Sequence, residues 1–413
     1  MLCQFTVQNF QCIKDELTLD MQATSISENE ESLLKDSDDE KFLPLAVIYG
    51  PNGTGKTTVL LALNSLICKV MRPVCASTSS TCDKNQECLK RSEKFAAKPF
   101  AFSDETINAP TVYELFFRTK TTEYQYNLSV LKEKILSESL YKKIISGKRY
   151  TEVFSRNKLN ITLKGSLKKI YINDISENLT LLSYLAITHR RNKIINDTIK
   201  WFDDSILFLN YDYFEGLNIR LTKNEKLKKI VIDMLKEMDF NINNYRIEEK
   251  KDKENRNLKI YVSHPIKEKN YELELKEESS GTIKIFSIIP HIAKCMLDGV
   301  TLIVDELDSK LHPLLLKYII QLFSNPNINK KNAQLIFTSH DLSTMNSDVF
   351  RRDEVWFIAM ANDYSSKMYS LVDFKTPDGK SVRKDARFDK QYLEGKYGAD
   401  PYFKRIINWE KIY

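Results

Sequence analysis

The stretch GPNGTGKTT at residues 50–58 concentrates chemistry in this 413-residue chain. It fits the pattern G-x-x-x-x-G-K-[ST] completely, follows the apolar run LAVIYG (45–50), and opens a segment that reads as a helix from about 55 to 70. Glycines at 50, 53 and 55 let the backbone curl so that successive N–H groups point inward, and a helix start adds partial positive charge. That chemistry suits phosphate. Asn52, Gly53, Thr54, Gly55, Lys56, Thr57 and Thr58 would line a nucleotide, with Lys56 at the β- and γ-phosphates and the Thr57 hydroxyl on Mg²⁺. The plain alternative is a glycine-rich strand–helix turn with no ligand.

A second acidic element, LIVDE (302–306), ends another apolar run. Placed beside the loop at 50–58, Asp305 would hold Mg²⁺ through water, and Glu306 would act as general base on the attacking water. The alternative is a carboxylate pair that caps the next helix. A third run ends in FTSHD (337–341), where His340 could donate a hydrogen bond to a γ-phosphate and report its presence. Otherwise it is an ordinary surface or core histidine. EESSG (277–281) reads as a turn entering a helix, so Ser279 and Gly281 either cap that helix or offer donors to a phosphate.

These residues need a frame. The run 45–50 is continuously apolar, as strands buried on both faces of a parallel sheet are, and VTLIVDE (300–306) and AQLIFTSH (333–340) read as two more buried strands. YELFFRT and EYQYNLSVL alternate like antiparallel strands, with Tyr124, Tyr126, Leu128 and Val130 on one face. Residues 1–20 read as one or two strands, and the acidic stretch 27–41 as a mobile loop. Residues 177–202 have apolar positions at helical spacing, including Leu182, Leu185, Ile195, Ile199 and Phe202. The predicted division is an N-terminal part of the nucleotide-binding head over 1–139 with a polar insert at about 71–95, an inserted, mainly helical lobe over 140–270, and a C-terminal part of the head over 271–413. YGADP (397–401) is a predicted turn.

Composition is that of an ordinary globular chain, with 42% hydrophobic and 29% charged residues. The net charge of +6 permits nucleic-acid contact without arguing for it. Basic clusters stand at KGSLKK (164–169), HRRNK (189–193) and KNEKLKK (223–229); they are solvated faces, a phosphate-tracking groove, or a docking face. Cys68, Cys75, Cys82 and Cys88 lack the close pairing of zinc ligands and read as thiols in a reducing cytosol. No secretory signal and no run of about 18 apolar residues is evident, so the expectation is a cytoplasmic protein without a membrane span.

The order of the loop at 50–58, ESSGT, IVDELDSKLHP and TSHD resembles ABC-type ATPases of the SMC, RecF and OLD kind. More narrowly, SSGTIKIFSIIPHI, LIVDELDSKLHPLLL, AQLIFTSHDLSTM, RRDEVWFI, YSLVDFK and KYGADP resemble the AAA-family ATPases of the RloA and AbiLi type, near the ariA-type ATPase of PARIS antiphage defence. The resemblance is strong over 271–403, loose over 1–70 and about 95–130, and slight over 140–270. It implies an α/β ABC-type ATPase head, a parallel core sheet plus an antiparallel side sheet, that uses ATP and Mg²⁺ and closes as a homodimer or higher oligomer. In such dimers Ser279 and Gly281 of one copy would cover the γ-phosphate held by another, with Asp308 of the loop LDSK across the same interface. The signature departs from LSGGQ, with Glu278 first, Ser280 where glycine is usual and Thr282 last. No H-N-H cluster and no TOPRIM arrangement follows His340. The resemblance therefore implies the sensor or regulator of an abortive-infection system, paired with a separately encoded TOPRIM- or RloB-like nuclease. The rival expectations are a RecF- or SMC-like DNA-repair ATPase and a scaffold assembled by ATP.

Overall fold

The computed structural model describes residues 1–78, 97–172, 174–209, 224–251, 256–375 and 379–399. Cys82, Cys88, most of the polar insert, Lys223 and the end of YGADP lie outside the described residues. The core sheet contains β5 (Leu45–Tyr49), β11 (Ile206–Leu209), β15 (Thr301–Val304), β16 (Gln334–Thr338), β17 (Val355–Met360) and β18 (Ser366–Ser370). Its order is β11-β15-β16-β5-β17-β18, parallel throughout except for the antiparallel edge β18. The expected parallel core is thus present, and all three chemistry-bearing strands end on the same side of it.

Successive residues of a strand face opposite ways, so a sheet covered on both faces must be apolar at every position. Ala46 and Ile48 of β5, Ile303 of β15 and Ile336 of β16 point into one core. Leu45, Val47 and Tyr49, Leu302 and Val304, and Leu335 and Phe337 point into the other. The first core is closed by α1 (Lys56–Thr78), against which α2 (Leu181–Thr188) and α3 (Lys193–Asp204) pack. Helices α5 (Ser280–Asp298) and α6 (Pro313–Ser324) contribute to the second core, and α4 (Glu225–Glu237) packs on α5. Part of α1, Lys56–Ser77, is long and apolar enough to cross a bilayer by length and composition, contrary to expectation, but 61% of that window is buried in the protein.

The antiparallel side sheet has the order β10-β9-β8-β7-β6-β1-β2. Its strands are β1 (Leu2–Gln8), β2 (Leu17–Asp20), β6 (Thr111–Arg118), β7 (Thr122–Leu131), β8 (Lys134–Ile144), β9 (Thr151–Asn157) and β10 (Asn160–Leu163). Tyr124, Tyr126, Leu128 and Val130 are buried in the first core, as the alternation predicts. Gln334 ties this sheet to the core sheet. Its Oε1 accepts from the Leu2 N–H at 2.8 Å, and its Nε2 donates to the Leu2 and Leu43 carbonyls at 3.0 and 3.2 Å.

Two expectations are corrected, on the stretch 140–270 and on the acidic stretch 27–41, and the helical spacing of 177–202 is realised. The stretch 140–270 is mixed rather than mainly helical. Strand β8 runs across residue 140, and β9 and β10 extend the side sheet. β11 joins the core sheet, and β12 (Asn244–Lys251), β13 (Arg256–Ile266) and β14 (Lys269–Glu274) form a separate antiparallel sheet. The helical run 177–202 is two helices because the Thr180 side chain caps the first and Asn192 the second, accepting from the first-turn N–H groups. The acidic stretch 27–41 is anchored. It contains β3 (Leu34–Lys35) and β4 (Lys41–Phe42), and its carboxylates converge on the buried Arg118. The guanidinium donates to Asp38 twice at 2.9 Å, to Asp36 at 3.2 Å, to Glu123 at 2.6 Å, and also to Glu40. Arg118→Ala leaves these carboxylates facing one another without their counter-charge. The variant is expected to lose about 3–5 kcal/mol of stability, read by urea unfolding. An unchanged midpoint would show that the acidic stretch is held by other means.

Candidate nucleotide-binding site

The loop between β5 and α1 is shaped by two left-handed glycines, Gly53 at φ 80° and Gly55 at φ 106°. A Cβ on Gly55 would stand 2.6 Å from Ser366 Oγ and 2.7 Å from Cys12 Sγ, so both conformation and space require glycine. Thr54 steadies the loop by donating to the Pro51 carbonyl at 2.9 Å, while Asn52 and Gly53 are exposed. Lys56 is buried, and its Nζ donates to the carbonyls of Gly50 and Pro51 at 2.7 and 3.0 Å. Burial lowers its pKa, against the opposing pull of Asp305, Glu306 and Asp308. Thr58 receives the Cys12 thiol at 3.3 Å.

Asp305, just past β15, joins this loop to the neighbouring strand. Thr57 Oγ1 donates to its Oδ2 at 2.8 Å, and Thr338 Oγ1 donates to its Oδ1 at 2.5 Å. The Thr338 hydroxyl in turn accepts from the Glu306 N–H at 2.7 Å. Thr57, Asp305, Thr338 and the Glu306 backbone therefore form one chain of hydrogen bonds. Glu306 itself is held in the left-handed region at φ 47°, rare for a residue with a side chain. Such a conformation persists only where its surroundings over-determine it. Here the Glu306 N–H is fixed by Thr338, and its carbonyl accepts from Lys284 Nζ at 2.7 Å.

Thr338 and Lys284 were not singled out by the sequence. Thr338 had a signal, being the last strand residue before His340. Lys284 had none, because a lysine one turn into a helix ordinarily faces solvent. It is instead buried. Burial lowers its pKa to about 8, with Asp308 and Glu306 opposing that shift.

The remaining predicted residues sit at the margin. Asp308 Oδ2 accepts from the His340 N–H at 3.1 Å, and Asp308 Oδ1 is inaccessible to solvent without a hydrogen-bond partner. The His340 side chain is exposed. Ser279 caps α5, its Oγ accepting from the Thr282 N–H at 3.1 Å, so the capping alternative is realised. Gly281 lies against the Asp308 loop, since a Cβ there would stand 3.3 Å from the Lys310 carbonyl. The two basic clusters KGSLKK and HRRNK are brought side by side by Asn192, whose Nδ2 donates to Ser166 Oγ at 3.0 Å. Lys164, Lys168, Lys169, Arg190, Arg191 and Lys193 are exposed there.

The donor set fits a hard cation held partly by phosphates. Thr57 and Asp305 supply adjacent oxygens, and no group of three or more His, Cys, Asp or Glu placed to cage a metal occurs among the described residues. Residues 45–346 match the family described as an AAA domain, putative AbiEii toxin, type IV TA system. The chain belongs to this family. No curated protein matches it. Among solved structures it is similar to the SMC head domain from Thermotoga maritima, at 12% identity over 89% of this chain and 98% of that one, with a TM-score of 0.43. It is also similar to an SmcHead bound to the C-winged helix domain of ScpA, at 12% identity, 89% and 97% coverage and a TM-score of 0.46. An Smc head domain with an extended coiled coil, bound to the C-terminal domain of ScpA derived from Pyrococcus furiosus, gives 10%, 89%, 96% and 0.40.

Lys284 gives this AAA-family site a pH signature. Its folded pKa of about 8 lies below the ordinary lysine value of 10.5, so between those values the unfolded chain binds more protons. The penalty of burying the charge is full below about pH 8 and is relieved as pH rises toward 10.5, so this group makes stability rise across that window. Lys284→Met abolishes that contribution. Urea unfolding on either side of the window is expected to show wild type gaining on the variant as pH rises. Parallel pH profiles would mean that the lysine titrates alike in both states.

Proposed function

We propose that the chain binds ATP with Mg²⁺ at residues 50–58, hydrolyses it slowly, and acts in the cytoplasm as the nucleotide-gated sensor or regulator of an antiphage, abortive-infection type system. The observation that carries this reading is the hydrogen-bond chain Thr57–Asp305–Thr338–Glu306 at the ends of adjacent parallel strands. Lys56 and the loop N–H groups bind the phosphates, and Thr57 and Asp305 hold the cation. Bound Mg²⁺ offsets charge on the β- and γ-phosphates. The Glu306 carboxylate takes the proton of the attacking water, and His340 donates to the γ-phosphate. Because Thr338 and Lys284 fix the Glu306 backbone, the base is positioned before substrate arrives.

Two copies close head to tail in this reading. Ser279 and Gly281 of one copy cover the phosphate held by the other, and Asp308 meets the same interface. The exposed position of Ser279 at the start of α5 and the unpartnered Asp308 oxygen support it. The regulated partner is a separately encoded effector, a TOPRIM- or RloB-like nuclease. The family description names a toxin–antitoxin system, which by its words has two components. A second reading, a RecF- or SMC-like ATPase acting on DNA, is favoured by the basic patch around Asn192. A scaffold assembled by ATP is the third reading, and measurable turnover removes it.

Glu306→Gln is expected to keep ATP binding and to slow hydrolysis by about 10²-fold or more through loss of the general base. Lys56→Ala should weaken ATP binding itself. Normal turnover in Glu306→Gln would show that another residue activates the water. Mixing Ser279→Arg with Lys56→Ala chains leaves one intact composite site per mixed dimer, so part of the activity should return. A dead mixture in which mixed dimers demonstrably form would overturn the head-to-tail arrangement.

Partner control is read by co-purification with the neighbouring gene product, with and without ATP. Nucleotide-dependent capture is expected, with coupling of about 1–3 kcal/mol. No capture in any nucleotide state, together with DNA-stimulated hydrolysis, replaces the defence reading with the repair reading.

A further inference from the structure

Three separate chain segments meet on the flank of the 50–58 loop. The first is the turn after β1, where Asn9 and Gln11 are left-handed at φ 54° and 51°. The second is the segment 98–102. The Gln11 N–H donates to the Lys98 carbonyl at 2.7 Å, and the Phe100 N–H donates to Asn9 Oδ1 at 2.8 Å. The third is the hairpin between β17 and β18. The Ser366 N–H donates to the Cys12 carbonyl at 2.8 Å, and Ser366 Oγ donates to the Thr54 carbonyl at 2.6 Å. Lys14 and Asp363 add an ion pair at 3.2 Å between the first and third segments.

These contacts bring two aromatic rings together in solvent. Phe102 is 69% exposed and Tyr364 60% exposed, yet their centroids are 5.5 Å apart. Tyr364 is presented from a left-handed turn position at φ 62°, which is uncommon for an aromatic residue. Exposed large aromatics in mutual contact leave apolar π surface facing water, which marks a binding surface rather than a core. The segments that carry the rings are tied to the loop by the buried Ser366–Thr54 bond, and Gln11 and Cys12 both bond Thr58.

We infer that Phe102 and Tyr364 form the stacking platform for the purine base of the nucleotide whose phosphates the 50–58 loop holds. The inference rests on the proposed nucleotide site and adds what recognises the base. Stacking uses the π face that every purine has, so it needs no further polar partner at this surface. The rings are preformed against each other, so little side-chain freedom is lost on binding.

The test separates base from phosphate. The full chain is titrated calorimetrically with Mg²⁺ and either ATP or inorganic tripolyphosphate, as wild type, Phe102→Ala, Tyr364→Ala and Phe102→Trp. Each alanine variant should bind ATP about tenfold more weakly and tripolyphosphate as tightly as wild type does. Phe102→Trp should keep ATP affinity close to that of wild type. Both side chains are exposed, and thermal unfolding verifies that the variants fold. Equal ATP affinity in wild type and both alanine variants overturns the platform. It is equally overturned if the variants alter only self-association, which would make the pair a face for a second copy. A wild type that binds no ATP defeats the nucleotide-site reading itself, a result distinct from failure of the platform alone.

Discussion

The carboxylate of Asp305 is the constraint on which the site depends. It is buried, and an ionised carboxylate out of water is costly unless its oxygens are satisfied. Each oxygen receives one hydroxyl, from Thr57 at the start of α1 and from Thr338 at the end of β16. That arrangement works only if three strand ends are level. The registers Val304↔Phe337 and Thr338↔Ile48 make them so. A slip of one residue in β16 would turn Thr338 to the opposite face, leaving Asp305 and the Glu306 N–H without their shared partner. The apolar sheet interior therefore does more than exclude water, because its register sets the distances of the polar groups at its edge.

Charge follows the same layout. Lys56 and Lys284 both feel Asp305, Glu306 and Asp308, while burial depresses both lysines. Lys310 adds a further cation near Lys284. Lys56 and Lys284 donate to backbone carbonyls, Lys56 to the loop and Lys284 to Glu306. In these bonds the lysines fix backbone geometry at the loop and at Glu306.

Legibility in the sequence tracked how local each feature is. The 50–58 loop, the apolar runs of β5, β15 and β16, and the alternation of β6 and β7 are written in consecutive residues, and the parallel core and antiparallel side sheet followed from them. Features set by distant partners were not legible. β11 is a four-residue strand whose identity comes from pairing with β15, nearly a hundred residues later in the sequence. The acidic stretch looked mobile because nothing nearby shows that Arg118 gathers Asp36, Asp38 and Glu40. Residues 177–202 have one helical periodicity, but Asn192 supplies a cap that a periodicity argument passes over. Lys284 was invisible for the same reason, since its partner is the backbone carbonyl of a residue 22 positions away.

That last bond has a structural consequence. Lys284 lies one turn into α5, the helix whose first turn Ser279 caps, and it holds Glu306 from the carbonyl side. Gly281 in the same turn approaches the Lys310 carbonyl, four residues past Glu306. The start of α5 and the segment 306–310 are therefore in contact at two places. A shift of the helix start without a matching shift of that segment would strain the Gly281 approach or break the Lys284 bond. Loss of the bond would leave a left-handed glutamate with one of its two anchors gone. The Lys284 bond and the Gly281 approach therefore fix the start of α5 and the segment 306–310 against each other.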